Sequence, residues 1–233
     1  MSRLTWDDIG KRLYETGTKM GVLYPQSEDG TYPKGVAWNG LMSVSESPSG
    51  AEASPLYAND AKYLELYSNE EFGFTISAYT YPEEFAACDG SAELESKSGV
   101  YVGQQPRKAF GLTYRTVVGN DVKGSDYGYK LHLVYGAKAS PSEKGYSSIN
   151  DSPEAVEFSW ECTTTPINIE GFKPAAHIEI DSTKIAPEKL KKIEDALYGT
   201  NAGSGSGSGT EPKLLLPNEI VTILKEQYNS IAL

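Results

Sequence analysis

The stretch AVEFSWECTTT, residues 155–165, alternates almost without error: Val156, Phe158, Trp160 and Cys162 fall on one side, Glu157, Ser159, Glu161 and Thr163 on the other. A period of two puts successive side chains on opposite faces of a pleated strand, so this segment reads as a half-buried β-strand with Phe158 and Trp160 in a core. One such strand needs neighbours of the same pattern, and the chain supplies them. EFGFTISAYT (71–80) places Phe72, Phe74, Ile76 and Ala78 on one face. KAFGLTYRTVVGND (108–121) does the same with Phe110, Leu112, Tyr114 and Val118, and YKLHLVYGAKAS (129–140) with Tyr129, Leu131, Leu133 and Tyr135. The turn-rich GNDVKGSDYG (119–128) joins these last two into a hairpin. LMSVSES (41–47), AKYLELYS (61–68) and KPAAHIEID (173–181) read as further strands. KRLYETGTKMGVLYP (11–25) reads as a hairpin or an extended arm broken around Gly17 and Gly21. The Gly-, Pro- and Ser-rich segments 26–40, 48–60 and 141–154 read as long loops, a length that marks function or order gained against something else.

Helical signals are few. In YPEEFAACDG (81–90), Pro82, two early glutamates and Gly90 suit one helical turn. APEKLKKIEDALYG (186–199) is the clear helix: Pro187 starts it, Leu190, Ile193 and Leu197 form its apolar stripe, and Gly199 stops it, leaving Lys189, Lys191 and Lys192 on the other side. The sequence therefore divides into a mainly β domain (1–200) with one main helix, a Gly/Ser linker (201–212) and a C-terminal segment (213–233). In that last segment KLLLP and a helical turn or two from Pro217 carry enough apolar surface to dock.

Composition excludes several classes of function. The net charge of −11 removes binding to nucleic acid through clustered cations. Cys88 and Cys162 are too few for a disulfide framework, and Cys162 on an apolar strand face reads as a small buried hydrophobe. No run approaches a membrane span, and the N-terminus carries no apolar signal-peptide core, so cytosolic synthesis is expected. Phosphate-binding glycine loops, H-E-x-x-H and C-x-x-C are all missing, so no cofactor or metal is expected. His132 and His177 fall on polar strand positions and read as surface or interface residues. Asp121 and Asp126 sit among glycines without EF-hand spacing and read as turn residues. Glu70-Glu71 and Glu83-Glu84 are explained by solvation or helix-start electrostatics more simply than by acid–base catalysis. One basic knot stands out, Arg107, Lys108 and Arg115 in GQQPRKAFGLTYR, suited to meeting a neighbour's carboxylates and fixing register.

Three stretches together, GTYPKGVAWNGLMSVSESPSGAEASPLYAND (30–60), ISAYTYPEEFAACDGSAEL (76–94) and residues 103–167, resemble the major tail tube protein of long-tailed bacteriophages, in the form common among phages of Gram-positive bacteria. The likeness spans roughly residues 2–200. It implies a β-sandwich with a flanking helix that closes into hexameric rings. The rings share an inner β-barrel and stack into a tube around a tape-measure protein, between tail terminator and distal tail proteins. Genomic DNA would pass through the lumen without specific binding, in a virion component assembled in the host cytoplasm. In such a channel Glu157 and Glu161 would give the wall its negative charge, and Arg107, Lys108 and Arg115 would lie at subunit interfaces. Two other readings compete. One is a monomeric carbohydrate- or cell-wall-binding sandwich that stacks sugars on Trp6 and Trp38. The other is a hydrolase, for which no motif speaks.

Overall fold

A computed structural model describes residues 3–149, 151, 154–201 and 209–226. Its strands in chain order are β1 (Leu13–Pro25), β2 (Val36–Ala37), β3 (Leu41–Glu46), β4 (Ser49–Gly50), β5 (Ala53–Ala58), β6 (Ala61–Tyr67), β7 (Glu70–Glu71) and β8 (Gly73–Ala78). After a 3₁₀ turn at Glu83–Ala87 come β9 (Ala92–Glu93), β10 (Tyr101–Val102), β11 (Phe110–Asn120), β12 (Gly124–Ala139), β13 (Phe158–Thr164) and β14 (His177–Asp181). Helices α1 (Pro187–Tyr198) and α2 (Pro217–Lys225) follow. The protein is mainly β and is dominated by one antiparallel sheet, ordered β2-β1-β11-β12-β13-β8-β3 with β14 also paired to β12.

The long strand β12 turns this sheet back on itself. Along one edge it pairs with β11; along the other it pairs first with β14, from Lys130 to Val134, and then with β13, from Ala137 to Ala139. Gly136 sits at the changeover with φ +59°, and its carbonyl accepts a 3.0 Å bond from Thr165 N. A Cβ there would lie 2.5 Å from the Thr165 carbonyl oxygen, so only glycine allows the bend. The result is three layers. β3, β8 and β13 face β1, β11 and β12 across a core of Leu23, Trp38, Phe74, Ile76, Phe110, Leu112, Val134, Trp160 and Cys162. On the opposite side of β1, β11, β12 and β14 a second core joins Tyr24, Leu131, Leu133 and Tyr135 to Leu190, Ile193 and Leu197 of α1 and to Leu214, Leu215 and Ile220. This double coverage explains why β11 is buried on both faces along most of its length.

Alternation and helical period place the main elements where the sequence expects them. Trp160 and Cys162 are buried and Phe158 is half-buried against the same core, while Leu190, Ile193 and Leu197 are the buried stripe of α1. Tyr24 fixes α1 to the sheet by donating its hydroxyl to the Leu197 carbonyl at 2.6 Å. An aspartate at position 197 would be a charge without a partner in this core, so Leu197→Asp is expected to cost more than about 4 kcal/mol and to yield protein with no cooperative thermal transition by circular dichroism.

Four expectations need correcting. Residues 53–58, read as loop, are a strand: Asn59 and Asp60, both at positive φ, make the two-residue turn of a β5–β6 hairpin. Residues 13–25 are neither arm nor hairpin. They form one strand paired to β11 throughout, with irregularities between Thr16 and Thr18 and between Lys19 and Val22 that absorb Gly17 and Gly21. The flanking layer holds two helices and not one: the helical turn or two expected from Pro217 forms α2, started by Pro217 and by the Glu219 carboxylate, which accepts from Leu216 N at 2.8 Å. His132, read with His177 as a surface or interface residue, is buried within the chain, and His177 is half-buried. The Gly/Ser tract over 202–208 and residues 227–233 lie outside the described residues.

Candidate assembly surface

Hydrogen-bonding capacity is left open at two edges of the sheet. Among the described residues, positions 13–20 of β1 pair only with β11, and β14 pairs only with β12. Both belong to the sub-sheet β1-β11-β12-β14, whose neighbours are all antiparallel. A row of unpaired N–H and C=O groups templates further pairing. Placing β14 of one copy beside β1 of the next would continue the antiparallel alternation without interruption.

The β5–β6 hairpin is the second unsatisfied feature. Of its residues only Glu65 is even half-buried. Leu56, Tyr57, Tyr63, Leu64, Leu66 and Tyr67 are exposed, with Tyr63 72% and Tyr57 70% accessible. A lone two-stranded ribbon is marginal in water, and so much aromatic surface belongs against a partner. The N-terminal residues add Leu4, Trp6 and Ile9, all exposed, on a segment tied to the β11–β12 turn by Gly10 N donating to Asp121 at 3.0 Å.

The basic residues divide. Lys108 is exposed, and together with Arg107, Lys34 and Lys138 it lines an open cleft whose one carboxylate is Glu28. Arg107 is partly satisfied within the chain: it donates to the Ala139 carbonyl at 3.1 Å and lies 3.5 Å from Asp89. Arg115 stands apart from both. It pairs with Glu194 of α1, donates to the Tyr198 hydroxyl at 3.2 Å and lies over the Tyr129 ring at 4.2 Å. Burial, with Glu194 alongside, pushes the Tyr129 hydroxyl up to about 12. The knot read from the sequence as one patch is thus two sites: Arg107 and Lys108 precede β11, whereas Arg115 lies within it, on the face turned toward α1.

Glu157, just before β13, and Glu161 within it are both exposed. Around Glu161 the open face of β13, β8 and β3 carries Ser159, Thr163, Thr75, Ser77 and Ser45, small hydroxyl residues in register. A second acidic pair, Glu15 and Glu179, flanks Lys130 on the sub-sheet with the free edges, Glu15 Oε1 at 2.5 Å and Glu179 Oε1 at 3.2 Å from its ammonium. Cys88 and Cys162 are free and buried, and burial pushes the Cys88 thiol up to about 12, far from a thiolate at neutral pH. Trp38 is buried, donating its indole N–H to the Thr80 carbonyl at 2.9 Å, so it is not available to stack on a sugar. No helix among the described residues is long and apolar enough to cross a membrane.

No protein-family model matches the chain, and no curated protein matches it. Three solved structures that resemble it come from tube and baseplate assemblies. A chain of the PVC sheath–tube complex, an extracellular contractile injection system in its extended state, is 11% identical over 70% of this chain and 88% of that one, with a TM-score of 0.34. A chain of the anti-feeding prophage baseplate is 8% identical over 78% and 100%, with a TM-score of 0.37. The SPP1 tail tube protein is 12% identical over 86% and 97%, with a TM-score of 0.33.

Proposed function

We propose that this chain is a structural subunit of a phage-type tail tube: copies close into hexameric rings, rings stack around a tape-measure protein, and the lumen conducts genomic DNA. The observation that carries this reading is the pair of free edges on β1 and β14, which lets one antiparallel barrel run through successive copies and removes both edges at once. The exposed β5–β6 hairpin and the N-terminal residues supply apolar surface for contacts between copies, and the sequence resemblance names the assembly. Lys34, Lys108 and Lys138 offer a cationic face to a neighbour's carboxylates in a chain of net charge −11.

Two acidic faces can serve as the channel wall. Glu157 and Glu161 on the hydroxyl-rich face of β13 would present repulsive charge and no phosphate-binding groups to a passing duplex. Glu15 and Glu179 become the wall if the four strands of the sub-sheet that carries the two free edges line the lumen. Negative-stain microscopy of the concentrated protein is expected to show rings or tubes; monomer alone in sedimentation at all concentrations, with and without tape-measure protein, rejects the reading. With tubes in hand, Glu157→Lys with Glu161→Lys is expected to leave assembly intact and to slow DNA release at low salt, an effect relieved by added salt. Unchanged release assigns the wall to Glu15 and Glu179 instead. The monomeric carbohydrate-binding alternative loses Trp38, one of its two stacking rings.

A further inference from the structure

Where the inner face of β12 leaves the apolar core, three strands bring together Glu46 of β3, His132 of β12 and His177 of β14. We propose that these residues form a site for a divalent transition-metal cation of the zinc type, which ties β3 to the β12–β14 pair. His132 Nδ1 lies 3.2 Å from His177 Nε2 and 3.4 Å from Glu46 Oε1, and His177 Nε2 lies 3.9 Å from that same oxygen. Three atoms so spaced share a point about 2.0 Å from each, the length of zinc–imidazole and zinc–carboxylate bonds. Two imidazoles and one carboxylate suit zinc, cobalt or nickel; calcium and magnesium prefer sets made of oxygen alone.

The surroundings prepare both rings for this role. His132 Nε2 is 3.0 Å from Thr116 Oγ1, and a proton donated there leaves Nδ1 bare as a ligand. Tyr114 donates its hydroxyl to Glu46 Oε1 at 2.6 Å and stacks on His132, its centroid 4.6 Å away and its plane 1° off parallel. Phe72 stacks on His177 at 4.7 Å and 10°. The two imidazoles are parallel within 6°, with centroids 5.4 Å apart. At that separation nitrogens 3.2 Å apart must meet end to end, so a single proton, that of His177 Nε2, fills the gap between the rings. A cation takes the place of that proton as His177 shifts to its Nδ1–H tautomer, so the ring stays neutral with no net proton released, and both rings turn in their planes toward Glu46. The Glu46 side chain is 37% exposed, which gives the ion a route in and leaves a coordination position for water.

This proposal does not rest on the tube reading. The test uses the full chain without an affinity tag, stripped with EDTA at pH 7.5 and titrated with zinc by calorimetry and with cobalt by visible absorption. We expect one equivalent per chain, a cobalt d–d band, and a melting temperature raised by roughly 5–10 °C at about a hundred times the Kd. Glu46→Gln, at an exposed position, and His177→Gln should each weaken binding at least tenfold while keeping the far-ultraviolet dichroism of the parent; Glu157→Gln should bind as the parent does. Absence of zinc heat and of a cobalt band in the parent overturns the proposal, and so does stoichiometric binding that survives both Glu46→Gln and His177→Gln.

Discussion

Trp160→Ala is expected to destabilise the chain by about 3–5 kcal/mol, read as a lower urea midpoint at unchanged slope. The side chain is fully buried among Trp38, Phe85 and Tyr81, whose rings meet it edge-on with centroids 6.0, 5.0 and 5.4 Å away. Truncation leaves a cavity that this rigid aromatic cluster cannot fill. It also removes the indole N–H that donates to Asp89 Oδ1 at 3.0 Å. Asp89 is itself buried and holds Lys144 and Arg107, so one lost donor loosens the 140–149 segment and the start of the basic cleft together. Trp160→Phe separates the two contributions: it keeps most of the packing and should cost about 1–3 kcal/mol, mainly through the unmet carboxylate. A loss below about 1 kcal/mol for Trp160→Ala would mean that the β13–β8 face is not a packed core.

The second large effect is on assembly and not on stability. Replacing Tyr63 and Leu66 of the hairpin by glutamate should reduce ring or tube yield at least tenfold, scored by microscopy and sedimentation, while the monomer's melting temperature moves by less than about 3 °C. The asymmetry follows from burial: both side chains are exposed in the single chain, so within one copy they have little to lose. If the same pair of substitutions unfolds the monomer, the hairpin is an internal support; if tubes form normally, it faces solvent and some other surface joins the copies.

What the sequence made legible follows its periodicities. β13, the β11–β12 hairpin and α1 each carry one clean repeat, and each lies where that repeat puts it. The β5 strand was hidden because Pro55 and its flanking Ser, Ala and Gly look like loop, although the Asn59-Asp60 pair is a turn signal that could have revealed the hairpin. The histidines failed for a different reason. Parity correctly put His132 opposite Leu131 and Leu133, but in a three-layer fold the opposite face is not automatically water: Tyr114 stacks on its ring and Glu46 comes over from β3. Glu46, His132 and His177 are far apart in the chain, and no spacing rule links residues that meet only because β12 bends at Gly136. Trp38 misled similarly, an indole from a Gly- and Pro-rich stretch that ends in the core.

The bridge between Thr200 and Thr210 has a practical consequence. Their backbones exchange two bonds of 3.1 Å and their hydroxyls lie 3.0 Å apart, so these two positions are held together at one spot. Whatever lies between those two threonines is closed at its base, and enlarging a closed loop carries only a logarithmic entropic cost, about 0.6 kcal/mol per doubling of length. The anchors on either side, Leu197 within α1 and Leu214 beyond the bridge, keep their own contacts regardless of that length. Residues 201–209 are accordingly a natural splice point, where a folded cargo, a fluorophore domain or an epitope can be inserted once per copy without rewriting either core.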